Sequence, residues 1–128
     1  MYKLIMITSM ALVTLSSTAI ADEKYNHFPS IESTDFKTAF CNIERYNEKM
    51  ITITNKPVLT SLDMLKIHEL TYTLENAINF IKVSLENVSQ NLEDVHKASE
   101  RLDQKTIHAS GEKYLEATKR LLENKKCE

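Results

Sequence analysis

The sequence has very little of the residues that build turns, with one glycine and two prolines in 128 residues. Phosphate-cradling loops and dinucleotide-binding turns need clustered glycines, so these nucleotide sites are excluded. β-Sandwiches and barrels need many turns, which glycine and proline supply, so an all-β fold is disfavoured. The chain is 42% hydrophobic and 27% charged. That composition is typical of neither a disordered nor a membrane-embedded protein.

The chain also lacks a concentration of positive charge. Its formal net charge is −2, and no basic run is longer than two residues, such as Lys125-Lys126 near the end. Nucleic-acid binding proteins carry clustered basic residues, so we expect no nucleic acid as a partner.

The first 21 residues predict a cleaved signal peptide. Lys3 gives a basic start, residues 4–15 are mostly apolar, and Ala19-Ile20-Ala21 has the small residues that a signal peptidase needs. The apolar run of about 12 residues is shorter than the roughly 20 residues that span a bilayer, which favours cleavage over a membrane anchor. We therefore expect a mature protein that starts at Asp22, lies in the periplasm or is secreted, and is not inserted in the membrane.

Two cysteines, Cys41 and Cys127, are the only thiols of the chain. Their spacing fits no zinc, haem or CxxC motif. In an exported protein an even pair favours a disulfide. Two unpaired thiols, or a bridge between two chains, are the alternatives.

Apolar residues at steps of three and four predict an all-α fold with three helices, at residues 34–54, 61–103 and 106–124. These helices form one domain over residues 34–128, preceded by an extended lead-in at 22–33. The heptad-like spacing is typical of a helical bundle or coiled coil. The single glycine, Gly111, lies inside the third helix. Either Gly111 allows the third helix to approach the second closely, or it is a tolerated defect.

The second helix is the defining feature of this prediction. Thr34 or Asp35 can cap the first helix, and Thr60 with Asp63 resembles a capping box for the second. No glycine or proline interrupts residues 62–102, which predicts one rod about 60 Å long. A break near residues 87–89, giving a four-helix bundle, is the alternative.

These lengths predict how the helices pack. Each short helix covers half of the long helix, so the two lie end to end on one side of it. Cys41 then lies about 20 Å from the first turn and Cys127 about 28 Å from it, and a frayed tail can close the difference. The helix lengths therefore favour a disulfide within one chain.

Such a bundle has a thin core, and we expect apolar side chains on its flanks. A two-fold pair of chains would bury them in four-helix cross-sections, which predicts a homodimer. The candidate flank residues are Phe36, Phe40, Tyr72, Phe80 and Leu115.

Four polar residues near the second turn are candidate ligands for a metal ion. Glu93 and His96 share one helix face, as do His108 and Glu112. The predicted packing places His96 and His108 at the same height along the bundle. Two imidazoles and nearby carboxylates suit Zn²⁺ or another divalent metal. The alternative is that these histidines pair with neighbouring acids.

No residues predict catalysis. The hydroxyl side chains lack the glycine-flanked context of a nucleophile. The acidic residues are spread over the helices and the cysteines are better explained as a disulfide, so we expect no enzyme.

Several segments resemble a family of uncharacterised small exported helical proteins from Gram-negative bacteria. The resemblance covers residues 36–122 and is carried by His68-Glu69-Leu70-Thr71-Tyr72-Thr73-Leu74-Glu75-Asn76-Ala77, Val95-His96, Ser99-Glu100, Gly111 and Tyr114-Leu115. It implies a helical exported protein, and the family has no assigned activity that could be carried over to this chain. Our expectation for function is a non-enzymatic periplasmic interaction or structural protein with an unidentified protein partner. A small metal-binding protein that uses His96 and His108 is the alternative.

Overall fold

The computed structural model of the chain describes residues 29–123 and 127. Within these residues the chain forms three α-helices and no strand: α1 (Phe36–Thr54), α2 (Ser61–Glu100) and α3 (Gln104–Leu122). Both short helices pack against α2. The predicted all-α architecture is confirmed. The predicted signal peptide, residues 1–21, and residues 22–28 of the predicted lead-in lie outside the described part of the chain.

Helix α2 is one unbroken rod of 40 residues, as predicted, and the alternative break near residues 87–89 is wrong. Its start is fixed by the predicted capping box. The hydroxyl of Thr60 accepts a hydrogen bond from the Asp63 amide at 3.1 Å, and the Asp63 carboxylate accepts one from the Thr60 amide at 3.0 Å. Two amides that the first helical turn would leave unpaired are thus satisfied by each other's side chains.

Helix α2 ends three residues earlier than predicted, because Leu102 adopts a left-handed backbone with φ of 55°. The Asp103 amide donates to the Ala98 carbonyl at 2.8 Å and the Leu102 amide to that of Ser99 at 3.2 Å. These two bonds form a Schellman motif, in which glycine usually occupies the left-handed position. Because a leucine occupies this position here, the sequence contains no residue that marks the helix end.

Asp103 then begins the next helix by accepting a hydrogen bond from the Thr106 amide at 3.1 Å. Helix α3 consequently starts at Gln104, two residues before the predicted start. The turn between α2 and α3 is therefore only three residues long, residues 101–103.

At the start of α1, Asp35 accepts a hydrogen bond from the Thr38 amide at 2.7 Å, which confirms it as one of the two predicted caps.

The apolar core is thin, as expected for three helices of these lengths. The buried apolar side chains of the described residues are Phe36, Ala39 and Tyr46 on α1 and Leu70, Ala77 and Ala98 on α2.

The segment before α1 is held against α2 by polar contacts. The Ile31 amide donates to the hydroxyl of buried Thr73 at 3.1 Å. The side-chain amide of Asn76 donates to Ser30 Oγ and to Glu32 Oε1, each at 2.9 Å. These bonds fix the side of α2 along which the lead-in runs.

Cys41 and Cys127 form a disulfide within one chain, with their Cα atoms 5.4 Å apart. Cys41 lies in the second turn of α1, and Cys127 follows α3. The start of α1 and the end of α3 line one cleft against Ser84 and Asn87 of α2. The disulfide therefore links the chain where the two short helices meet, as the helix lengths predict.

Candidate interaction surface

The apolar face of α2 is wider than the short helices cover. Its buried residues Leu70, Ala77 and Ala98 lie multiples of seven residues apart, on the side that α1 and α3 occupy. One residue further along lies a second row with the same spacing. In that row Ile78 is 55% exposed, Leu85 42% and Leu92 48%. Seven residues make about two helical turns, so this row runs along one edge of the helix.

This row belongs to a longer apolar strip, which we term the α2 strip. It consists of residues that follow one another by steps of three and four, with Thr71 as its one hydroxyl-bearing member. Its members are Met64, Ile67, Thr71, Leu74, Ile78, Ile81, Leu85, Val88, Leu92 and Val95, all exposed or half-buried. The strip is about 46 Å long at 1.5 Å per residue.

Grooves mark the centre and one end of the α2 strip. The central groove lies on α2 alone, around Leu74 and Ile78, and is flanked by the charged residues Glu75 and Lys82. At the end, Val95 lies in a groove between α2 and α3, beside Leu115, which is 65% exposed. The α2 strip therefore has one apolar groove near its centre and another where α3 begins to cover it.

The predicted flank residues take different positions. Phe40, Tyr72 and Leu115 are exposed, as expected, and Phe80 is half-buried. Phe36 was wrongly assigned to the exposed flank. It is buried because its ring packs edge-to-face on Phe80 at 5.6 Å and beside Phe40 at 6.2 Å between ring centroids.

Sequence reasoning overlooked two exposed members of the α2 strip, Met64 and Ile78. The regular spacing of Ile78, Leu85 and Leu92 was a signal for the second row.

The structure does not assemble the four predicted metal ligands. Glu93 forms an ion pair with Lys97 at 3.1 Å, and His96 Nε2 lies 3.4 Å from Glu100 Oε1. His108 and Glu112 line the groove between α2 and α3 instead. Over residues 29–123 and 127, no three side chains of His, Cys, Asp or Glu form a group that could hold a metal ion.

His96 and His108 do not come together because His96 is not on the side of α2 that faces α3. Buried Ala98 contributes to that side, and His96 is two residues away, which places it about 200° around the helix. The side chain of His96 is 64% exposed accordingly. Equal height along the bundle was therefore not sufficient to bring His96 and His108 together, and the predicted four-residue cluster is corrected.

A mixed-charge cleft lies where α1 begins and α3 ends. It carries three cationic and three anionic side chains, and Arg120 pairs with Glu116 one turn before it. The charged residues that line it are Asp35, Lys37, Lys113, Glu116, Arg120 and Glu123. This balance of charges selects no ligand of one sign.

Among the described residues, the two carboxyl groups with lowered pKa values serve helix starts. The Lys56 ammonium, 2.6 Å from Asp63, together with the amide and hydroxyl of Thr60, lowers the pKa of Asp63 from its ordinary 3.8 to about 2. Hydrogen bonds from the hydroxyl and amide of Thr106 lower the pKa of Asp103. Both groups are therefore held ionised as caps.

No helix within the described range is both long enough and apolar enough to cross a bilayer. No curated protein and no solved structure matches the chain. A family profile matches residues 1–123, almost the whole sequence. The chain therefore belongs to DUF6746, a family of unknown function.

Proposed function

We propose that the protein is an exported, non-enzymatic helical interaction protein that binds its partner through the α2 strip. The observation that carries the proposal is the exposure of Ile78, Leu85 and Leu92 along one edge of a single helix. Monomeric proteins scatter exposed apolar residues singly, whereas a contiguous apolar strip marks an interaction site. A helix that presents anchors at such spacing is a common mode of protein recognition.

The disulfide supports an extracytoplasmic location. Disulfides persist in oxidising compartments such as the periplasm, and the sequence of residues 1–21 predicts a signal peptide. Together with the resemblance described above, these features support a site of action in the periplasm of a Gram-negative cell.

The polar side chains support a role without chemistry. The Asp63 and Asp103 carboxylates cap helices. Glu93 with Lys97 and Glu116 with Arg120 form pairs one turn apart along a helix, which is a usual way to solvate an exposed helix face. These residues are thus accounted for by helix stability.

The test is site-specific photo-crosslinking in living cells. A photo-reactive phenylalanine analogue replaces Leu85 in one strain and Val83 in a matched control. Val83 is 46% exposed on the same helix, but two residues from Leu85 and so on the opposite side. We expect position 85 to give a defined adduct, either to a second copy of this chain or to a different protein. We expect position 83 to give little adduct. Equal labelling at both positions, or no adduct at position 85, would contradict the proposal.

A further inference from the structure

We infer that the partner of the α2 strip is the α2 strip of a second copy of this chain, packed antiparallel, with Glu75 of each copy beside Lys82 of the other. This inference rests on the proposed function and specifies its partner. It depends on the extent of the strip, its symmetry, and the charges that flank it.

The area of the α2 strip reaches the lower limit of a specific interface between two chains. A contact about 46 Å long and about 12 Å wide, one helix diameter, covers on the order of 500 Å² of each copy. The total of about 1,000 Å² reaches the size at which specific interfaces begin. The exposed Leu115 beside Val95 can extend this contact onto α3.

The strip is self-complementary in one antiparallel register. With a two-fold axis between residues 79 and 80, each strip residue lies opposite another strip residue of the second copy. In an antiparallel pair of helices, such opposite residues form the successive core layers. The opposed pairs are Met64 with Val95, Ile67 with Leu92, Thr71 with Val88, Leu74 with Leu85, and Ile78 with Ile81.

Charges beside the strip select this register among its neighbours. On the side of α2 away from α1 and α3, the residues that flank the strip at each seven-residue step are His68, Glu75, Lys82, Ser89 and His96. In the proposed register Glu75 lies near Lys82 of the second copy, and the reciprocal pair forms by symmetry. A shift of one heptad instead brings Glu75 opposite Glu75, or Lys82 opposite Lys82. Like charges in these positions disfavour both shifted registers.

The described part of the lead-in, residues 29–33, does not compete for the strip. Residues 30–32 are hydrogen-bonded to Asn76, which is two residues from Ile78 and so about 200° around α2. The part of the lead-in that the structure describes thus runs along the opposite side of the helix. A second copy is the occupant that the symmetry and charges of the strip specify.

Sedimentation equilibrium of the protein with its disulfide intact tests this inference. We expect a dimer at micromolar concentration, and a monomer for Ile78→Glu, which places a charge beside the two-fold axis. Val83→Glu is the matched control, because it adds the same charge to a similarly exposed residue on another side of α2, and it should remain dimeric.

Charge exchange tests the register. Glu75→Lys or Lys82→Glu alone creates like-charge contacts in both symmetric pairs and should weaken dimerisation by about fivefold to tenfold at low salt. The double variant Glu75→Lys with Lys82→Glu restores opposite charges and should recover the wild-type dissociation constant. Circular dichroism of each variant confirms that the helices are intact.

Three results would overturn the inference. The first is a wild-type protein that stays monomeric at a concentration about 100-fold above micromolar, and the second is a dimer that persists in Ile78→Glu. The third is a double variant whose dissociation constant does not return to the wild-type value. The crosslinking experiment separates this failure from that of the proposed function. An adduct from position 85 to a different protein rejects the second copy but keeps the interaction surface, whereas no adduct rejects both.

Discussion

At the scale of single residues, the glycine of α3 has a different role from the one its rarity suggests. A Cβ atom added to Gly111 would lie 3.9 Å from Val95 Cγ2, an ordinary van der Waals distance. The close approach of α3 to α2 does not require a glycine here, and the sequence-based interpretation as a tolerated defect is the better one.

Replacement of Gly111 by alanine should therefore stabilise the protein. Alanine restricts the unfolded chain and favours the helix by about 1 kcal/mol relative to glycine. Urea denaturation followed by circular dichroism measures this change. The control is the reverse substitution, Ala109→Gly, at an exposed position of the same helix, which should lower the stability by a similar amount. A loss of stability in Gly111→Ala would show that the two helices pack more closely than the structure has them.

A second prediction at this scale concerns Asp63 and pH. Because the pKa of Asp63 is lowered to about 2 in the folded protein, its ionised form stabilises the fold fully above about pH 4. That contribution is lost as the pH falls from the ordinary value of 3.8 through the folded value. Asp63→Asn should thus weaken the dependence of the urea midpoint on pH between about pH 4 and 2.

Wild-type protein and Asp63→Asn compared at about pH 7, 4 and 2 provide the measurement. Parallel curves for the two proteins would mean that Lys56 and Thr60 do not hold this carboxylate ionised in solution. Glu86→Gln, on an exposed part of α2, is the control for the loss of one surface charge.

At the scale of elements, the helices were predictable and their exact ends less so. The rod of α2 followed from an uninterrupted three-and-four pattern and from the Thr60 capping box. Its end did not, because a left-handed Leu102 replaces the glycine that normally marks a helix end. Local sequence patterns thus located the helices. The left-handed backbone of Leu102, which has no sequence signal, caused the error in the predicted end of α2.

The candidate site was only partly predictable for a related reason. Periodicity shows which side of a helix is apolar, but it does not show how much of that side its neighbours cover. Leu85 and Leu92 were recognised as apolar stripe residues, yet the same stripe contains buried Leu70 and Ala77. The division into a covered and an uncovered row depends on where α1 and α3 pack, and the same tertiary detail separates His96 from His108.

At the scale of the whole molecule, the disulfide joins α1 to the segment after α3 in a bundle whose short helices each contact α2. Cys41 and Cys127 are 86 residues apart, and closing a loop of this length removes much of the entropy of the unfolded chain. With so few buried side chains, this covalent link should supply a large part of the net stability.

Replacing both cysteines by serine should lower the free energy of unfolding by about 4 kcal/mol, close to the value for loops of roughly 100 residues. Equilibrium urea denaturation of the oxidised protein and of Cys41→Ser with Cys127→Ser gives the difference, and reduced wild-type protein is the control for the substitutions themselves. A change of less than about 1 kcal/mol would mean that helix packing alone holds the bundle together.

The antiparallel pairing of two copies along the α2 strip requires α2 to be one unbroken rod, as the structure has it. A distance between two copies of one spin label tests this pairing most directly, with the label attached through Gln90→Cys on the exposed side of α2 while the native disulfide stays intact. In the proposed register the two labels are 21 residues apart along the rods, about 32 Å at a rise of about 1.5 Å per residue. They lie on the outer faces of helices spaced about 8–10 Å apart, so their lateral separation is about 20 Å and the predicted distance about 37 Å. A distance of about 20 Å would indicate parallel rods in register. The absence of any coupling between the labels would show that the α2 strip does not pair with itself. Either result contradicts the antiparallel dimer.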